Sequence, residues 1–188
     1  YLASRFEQSQ YNVVLDNYGV SGYRTTNIVN ELLNPANSKY KILRESIGNA
    51  ELVTIDIGAN DLLAELPRIQ ANPALAPTVL KGIGERLFVI LSEIDKINPE
   101  TKVYVMGYYN PFPHLPEEQQ AALIPLLDAF NQTIQSVASI NGDIFVPTSK
   151  VIEKHEKEYI PNPLDIHLDI EGYKVLAKEF WKAIQENK

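Results

Sequence analysis

The sequence predicts an α/β domain with a mainly parallel sheet. Four apolar runs have the length and composition of strands, and segments with helical periodicity separate them along the chain. This alternation is typical of parallel strands that are joined by crossover helices. The chain has 188 residues, of which 45% are hydrophobic and 22% are charged. That is ordinary globular composition, and we expect a single domain over residues 1–188.

The strand predictions rest on runs of apolar and β-branched residues. The run 51–58 (ELVTIDIG) is continuous, which indicates a strand that is buried on both faces. The remaining runs are YNVVLDNYGV, KVYVMGYY and the short IFVP. The predicted strands are therefore 11–20, 51–58, 102–109 and 144–147.

The helix predictions rest on apolar residues at helical spacing and on breaking residues between segments. Pro125 is expected to interrupt one helix, and Asn34-Pro35 separates two others. The predicted helices are 25–33, 39–49, 77–97, 116–140 and 169–187, with Pro-rich loops at 67–77 and 111–116. Two apolar faces are expected to be buried: Leu80, Leu87, Leu91 and Ile94, and Tyr173, Leu176, Ala177, Phe180 and Ile184.

Composition excludes several classes of function. The formal net charge is −7 and the chain shows no Lys/Arg cluster, which argues against a nucleic-acid partner. There is no cysteine, so thiol catalysis and thiolate metal sites are excluded. No run of 18 apolar residues occurs, so no membrane span is expected. Gly82-Ile83-Gly84 lies within a helical pattern with Leu87 where a third glycine would be needed, which disfavours a nucleotide loop.

Residues whose side chains or backbone could take part in catalysis or binding follow each predicted strand. In a parallel sheet the ligand crevice lies at the carboxyl ends of the strands. Glycines, amides, acids and a histidine are therefore expected at one edge of the sheet. They lie in the segments 18–24, 58–61, 108–111 and 162–169.

His167 is the candidate base in this set. Asp165 lies two residues earlier, and a carboxylate near an imidazole can fix its tautomer and stabilise its charged form. The alternatives are a structural loop histidine and a turn or capping aspartate, although Asp169 is better placed to cap the last helix. His155 lies in a solvated charged stretch, and His114 is a weak candidate for a pocket wall.

Gly22 and Asn60 are candidate donors to an oxyanion. A glycine lets its backbone N–H approach a substrate closely, and an asparagine side chain supplies a further N–H donor. The alternatives are a loop glycine and a helix N-cap, a role that one of the pair Asn60-Asp61 is expected to fill. Gly58 is expected to provide a sharp turn before Asn60 and is, with Asp61, a supporting residue.

Three segments resemble the sequence blocks of the SGNH hydrolases, the GDSL esterase/lipase superfamily. They are NYGVSG, IGAND and DIHLDIEGY. The chain looks most similar to the lysophospholipase L1-like (YpmR-like) branch. The resemblance implies a flavodoxin-like three-layer α/β/α sandwich, oxyanion roles for Gly22 and Asn60, and a catalytic base role for His167.

The chain departs from the family pattern at two places. The usual acid position, three residues before the histidine, holds Leu164, and the usual proline after it is Leu168, so Asp165 is expected to supply the acid. The family's Gly-Asp-Ser block does not occur, and Ser21 lacks its context. We expect that block in a βα unit upstream of Tyr1, roughly 30 or more residues long, with residues 1–8 ending its helix.

The expected activity is that of a serine ester hydrolase (esterase, lipase, lysophospholipase or thioesterase-like) that forms an acyl-enzyme and needs no metal or organic cofactor. The partner would be a small-molecule or lipid ester. The alternatives are a carbohydrate or cell-wall O-deacetylase and a non-catalytic binding module that lost the serine. Tyr108, Tyr109 and Phe112 either line the substrate pocket or simply pack in the core. The resemblance favours an extracellular or membrane-tethered protein.

Overall fold

The protein is an α/β fold with a parallel sheet and a large helical content. The computed structural model describes residues 1–187. The helices are α1 Leu2–Gln8, α2 Thr25–Leu33, α3 Tyr40–Asn49, α4 Ala59–Ala71, α5 Ala76–Ile97, α6 Glu117–Asn141, α7 Ser149–Glu153, α8 Glu156–Tyr159 and α9 Ile170–Glu186. The strands are β1 Leu52–Ile55, β2 Lys102–Met106 and β3 Ile144–Val146, and a 3₁₀ turn spans Pro73–Leu75.

The three strands form one sheet in the order β1-β2-β3. β1 and β2 are parallel, with Leu52 opposite Lys102 and Ile55 opposite Val105. The central strand β2 is buried from Val103 to Met106. β1 is only half-buried and Thr54 is exposed, so the expectation of burial on both faces is wrong for this strand. The reason is its place at the edge of the sheet within the described residues.

The described residues fall into two compact units. The central unit comprises Asp16–Met106 and Ala129–Phe145. The terminal unit comprises Tyr1–Leu15, Gly107–Asp128 and the described residues from Val146 onward. In the central unit α5 packs against α2, α3 and α4, and in the terminal unit α9 packs against α1, α7 and α8. The expectation of a single domain over the whole chain stays a prediction.

The apolar faces of α5 and α9 are confirmed with one exception. Each residue expected on the buried face of α5 is buried, and so are Leu176, Ala177, Phe180 and Ile184 of α9. Tyr173 is exposed instead. It lies in the first turn of α9, where the helical spacing alone does not fix how much of a large side chain is covered.

The predicted strand at 11–20 is wrong. These residues have no regular secondary structure and most are exposed, with Val14 at 89%. A strand needs a hydrogen-bonded neighbour, and the described sheet contains only β1, β2 and β3. Local bonds hold part of the segment instead, because Asn17 Oδ1 accepts from the Gly19 N–H at 2.9 Å.

Two prolines lie inside helices, contrary to the predictions of a loop at 67–77 and of a break at Pro125. Pro67 lies inside α4, so residues 67–71 are helical rather than part of a loop. Pro125 lies inside α6, which runs without interruption from Glu117 to Asn141. A proline removes one backbone donor, but burial of Phe130, Ile134 and Ala138 stabilises the following turns of α6. The short helices α7 and α8 were not predicted.

Candidate active site

A carboxylate–imidazole pair lies in the loop before α9. Asp165 Oδ1 is 2.6 Å from His167 Nδ1, and the same oxygen accepts from the His167 backbone N–H at 3.0 Å. The predicted hydrogen bond between these side chains is therefore present. Leu164, three residues before His167, is exposed and carries no polar group. The local turn thus places Asp165 in the position to orient the imidazole.

The sequence around this pair fixes the loop onto α9. Leu168 is buried, and a Cβ on Gly172 would lie 2.8 Å from the Leu168 Cβ, so only glycine allows this close approach. Asp169 caps α9 as predicted, because its Oδ1 accepts from the Gly172 N–H at 2.8 Å. The Asp169 N–H donates in turn to the Tyr159 carbonyl at 2.7 Å. The histidine loop is therefore anchored on its C-terminal side.

The pair is open to solvent. The side chains of His167 and Asp165 are 59% and 50% exposed. The backbone N–H of His167, and then its ring, lower the pKa of Asp165. A lowered pKa means that the folded state favours the carboxylate. The contribution of this carboxylate to stability is thus present above its unfolded-state pKa of about 3.9. That contribution is lost as the pH falls through its pKa in the folded protein.

Three aromatic residues follow β2, and a contact with this loop comes from Tyr109. The Tyr109 hydroxyl donates to the Ile166 carbonyl at 3.4 Å, which is a long bond, and Tyr108 and Phe112 are half-buried. Tyr109 thus contacts the backbone between Asp165 and His167. The role of these three residues in a substrate pocket stays a prediction.

The two other histidines differ from His167. His114 Nε2 lies 2.6 Å from the Ile160 carbonyl, which gives this side chain a structural contact in the terminal unit. His155 Nδ1 lies 3.3 Å from Glu158, and both side chains are exposed. Neither contact resembles the short carboxylate–imidazole bond of His167.

The central unit brings the two oxyanion candidates to neighbouring positions. Gly22 is exposed and has φ +82°, a conformation that favours glycine. Asn60 Nδ2 donates to the carbonyl of Tyr23, the next residue after Gly22, at 3.0 Å. Asn60 therefore directs an N–H donor into the Gly22–Tyr23 segment and keeps a second N–H on the same nitrogen.

Gly58 directly precedes α4, in a conformation that only glycine adopts easily. Its φ is +117°, and a Cβ would lie 3.2 Å from Phe130 Cζ and 3.3 Å from Ile83 Cγ2. The expected sharp turn is confirmed. Gly58 itself is the N-cap residue, so the expectation that Asn60 or Asp61 caps the helix is wrong.

Asp61 has a different task from capping. Its side chain is buried, and its oxygens accept from the Thr25 N–H at 2.9 Å and the Thr25 hydroxyl at 2.6 Å. Arg86 Nη2 donates to the same carboxylate at 3.1 Å. Thr25 and Arg86 could not be identified from the sequence, because their contacts with Asp61 span 36 and 25 residues and no local pattern marks them.

The structure thus assembles two pairs of candidate residues. Asp165 and His167 lie in the terminal unit, and Gly22 and Asn60 lie in the central unit. Within residues 1–187, no group of three or more acidic and histidine side chains is arranged to hold a metal ion. Among the helices of this same range, none combines the length and the apolar character that crossing a membrane would require.

Several solved structures share this fold. A lipase from a goat rumen metagenome superposes with a TM-score of 0.81 at 21% identity, covering 97% of this chain and 84% of that one. An extracellular lipase from Streptomyces rimosus gives 0.70 at 21% identity, covering 100% and 86%. An acetyl xylan esterase gives 0.64 at 15% identity, covering 97% and 88%. None of the curated proteins compared with the chain matches it.

The model of the GDSL-like lipase/acylhydrolase family matches residues 1–175, which is nearly the whole chain. Both candidate pairs lie within the matched residues. The likeness to lipases and esterases in fold agrees with it. The chain therefore belongs to the GDSL-like lipase/acylhydrolase family.

Proposed function

We propose that the protein is a serine ester hydrolase that works through an acyl-enzyme. The hydrogen bond between Asp165 Oδ1 and His167 Nδ1 is the observation that carries this proposal. It occupies Nδ1, so the exchange of protons falls to Nε2 of a ring that is open to solvent. An imidazole held in this way is the base that a serine nucleophile requires.

The proposed roles follow from this chemistry. His167 takes the proton of the attacking serine and passes it to the leaving alcohol. Asp165 orients the ring and stabilises the imidazolium. The Gly22 N–H and the Asn60 side chain donate to the oxyanion of the tetrahedral intermediate. Water then attacks the acyl-enzyme and releases the acid, with His167 acting again as base.

The proposed nucleophile is a serine of a Gly-Asp-Ser block. No Gly-Asp-Ser occurs among residues 1–188, so the proposal includes a serine outside these residues. Ser21, next to Gly22, is exposed and is the competing candidate within the chain. Replacing Ser21 by alanine in an active protein distinguishes the two assignments, because only a nucleophile is indispensable.

The comparisons do not decide whether the substrate is a lipid ester or an acetylated carbohydrate. Two of the structures named above are called lipases, and one is called an acetyl xylan esterase. Tyr108, Tyr109 and Phe112 would contact either an acyl chain or a sugar ring. We propose a carboxylic ester as the substrate, with O-deacetylation of a carbohydrate as the alternative. Measuring the rate over a series of acyl lengths would separate the two.

The test is hydrolysis of p-nitrophenyl esters from acetate to decanoate by the full-length protein. We expect turnover without added metal and unchanged rates in EDTA, because the proposed mechanism uses only groups of the protein and water. p-Nitrophenyl phosphate serves as the control substrate and should stay intact. Loss of esterase activity in EDTA, with recovery on adding a divalent ion, would overturn the metal-free mechanism, and absence of all esterase activity would favour a binding module.

A further inference from the structure

The segment Tyr23–Thr25, which connects Gly22 to α2, is held at its C-terminal end by a buried network. Thr25 directs its backbone N–H and its hydroxyl to the two oxygens of Asp61, at 2.9 and 2.6 Å. Arg86 Nε donates to the Thr25 hydroxyl oxygen at 2.6 Å, and its Nη2 donates to Asp61 at 3.1 Å. Because Asp61 directly follows Asn60, this network fixes the start of α2 to the first turn of α4.

The other end of the segment is held through the side chain of Tyr23. Its hydroxyl donates to Glu31 Oε1 at 2.7 Å and accepts from Lys39 Nζ at 2.9 Å. Lys39 also pairs with Glu31 at 2.9 Å and lies 4.8 Å from the centre of the tyrosine ring. The hydrogen bonds to Tyr23 and then to Glu31 raise the pKa of Lys39, so its ammonium group stays charged.

Burying the Glu31 side chain at this position costs free energy. Glu31 is 4% exposed, and within the described residues its Oε2 has no hydrogen-bond partner. A buried carboxylate that is only half satisfied destabilises a fold, so its presence calls for an explanation. Its one bonded oxygen serves Tyr23 and Lys39, which indicates that holding Tyr23 is the task of this group.

Between the two anchors, the carbonyl of Tyr23 accepts the hydrogen bond from Asn60 Nδ2. This bond decides which end of the amide faces the Gly22 segment. A flipped amide would present Oδ1, an acceptor, where an oxyanion needs a donor. Holding the carbonyl in place therefore holds the second N–H of Asn60 in a fixed direction.

We propose that Tyr23 and Thr25 are positioning residues that preorganise Asn60 as an oxyanion donor. The inference rests on the proposed function, since it requires Asn60 to act in the transition state. Preorganised donors stabilise a developing charge without reorganising at the moment of reaction. Loosening either anchor should thus lower kcat and leave KM nearly unchanged.

The test is a double-mutant cycle with Tyr23→Phe and Asn60→Ala in the full-length protein. Tyr23→Phe removes one hydroxyl and leaves the Lys39–Glu31 ion pair, so the fold should persist. We expect Tyr23→Phe to lower kcat about tenfold in the wild-type background and by less than about twofold in the Asn60→Ala background, because coupled residues are not additive. Tyr18→Phe is the matched control, since its hydroxyl bonds to Ser46 Oγ at 2.7 Å in the same unit. It should keep kcat.

A second pair of variants probes the other anchor. Thr25→Val removes the hydroxyl that Asp61 and Arg86 share, and Thr25→Ser keeps it. We expect Thr25→Val to lower kcat and Thr25→Ser to restore it, with melting temperatures recorded for both. If Thr25 had only a structural role, Thr25→Val would lower the melting temperature but would not lower kcat while leaving KM unchanged.

The possible outcomes separate the inference from the function on which it rests. If Asn60→Ala leaves kcat unchanged, the proposed oxyanion role of Asn60 fails, and the inference fails with it, although the protein remains an ester hydrolase. If Asn60→Ala lowers kcat but Tyr23→Phe acts equally in both backgrounds or no more than Tyr18→Phe, the positioning role is overturned and the proposed function stands.

Discussion

Asn60→Ala is expected to lower kcat by about 10²–10³ while KM changes little. A donor to the oxyanion acts mainly in the transition state, and losing one such donor costs roughly 2.7–4 kcal/mol. The structure supports this because Asn60 Nδ2 uses one hydrogen on the Tyr23 carbonyl and retains the other. Steady-state kinetics with a p-nitrophenyl ester, over a full range of substrate concentrations, measure the two parameters separately.

Asn49→Ala is the matched control for this prediction. Asn49 also donates its Nδ2 to a backbone carbonyl, that of Glu45 at 2.9 Å, but it is exposed at the end of α3. Its removal should leave kcat unchanged. A folded Asn60→Ala protein with the kcat of the control would show that Asn60 only ties α4 to the Tyr23 segment.

Asp165→Asn is expected to keep the fold and lower kcat by roughly 10²–10⁴. An amide can donate to His167 Nδ1, which leaves the imidazole in the tautomer that cannot accept a proton at Nε2. The carboxylate and the ring are each about half exposed, so solvent screening should place the effect below that of a fully buried triad. The measurement is kcat at pH 7–8, with circular dichroism to confirm folding.

Asp169→Asn provides the comparison for Asp165→Asn. Asp169 caps α9 through the Gly172 N–H, and asparagine caps a helix about as well as aspartate does. This variant should therefore retain activity and lose at most a few tenths of a kcal/mol in stability. An Asp165→Asn enzyme that is as active as Asp169→Asn would reduce the proposed site to a Ser-His dyad.

The sequence was sufficient for the elements whose stability is local or strongly periodic. The helices at 25–33 and 169–187 were predicted almost to the residue, because apolar spacing and the Asp169 cap define them. The strand prediction at 11–20 was wrong because a strand depends on a neighbouring strand distant in sequence, which its own residues do not reveal. The prediction that Pro125 interrupts α6 was wrong for a related reason, since tertiary burial further along the helix outweighs the local effect of the proline.

The same distinction applies to the candidate site. Asp165 and His167 are two residues apart, so their contact follows from a single turn and could be anticipated. Asn60 and Gly22 were recognised from their types and from the blocks in which they lie. For Asp61 the sequence offered only a helix cap or an unspecified supporting role, because its actual partners, Thr25 and Arg86, are far away in sequence. Long-range hydrogen bonds of this kind leave no periodicity to read.

Covalent labelling of the full-length protein with a fluorophosphonate tests the acyl-enzyme mechanism most directly. We expect a single adduct by intact mass, on a serine in a Gly-Asp-Ser sequence by peptide mapping, with loss of esterase activity in step with labelling. His167→Ala should slow the labelling strongly, because the serine then lacks its base. An esterase that remains active and unmodified, or one in which replacing the modified serine by alanine preserves activity, would contradict the account.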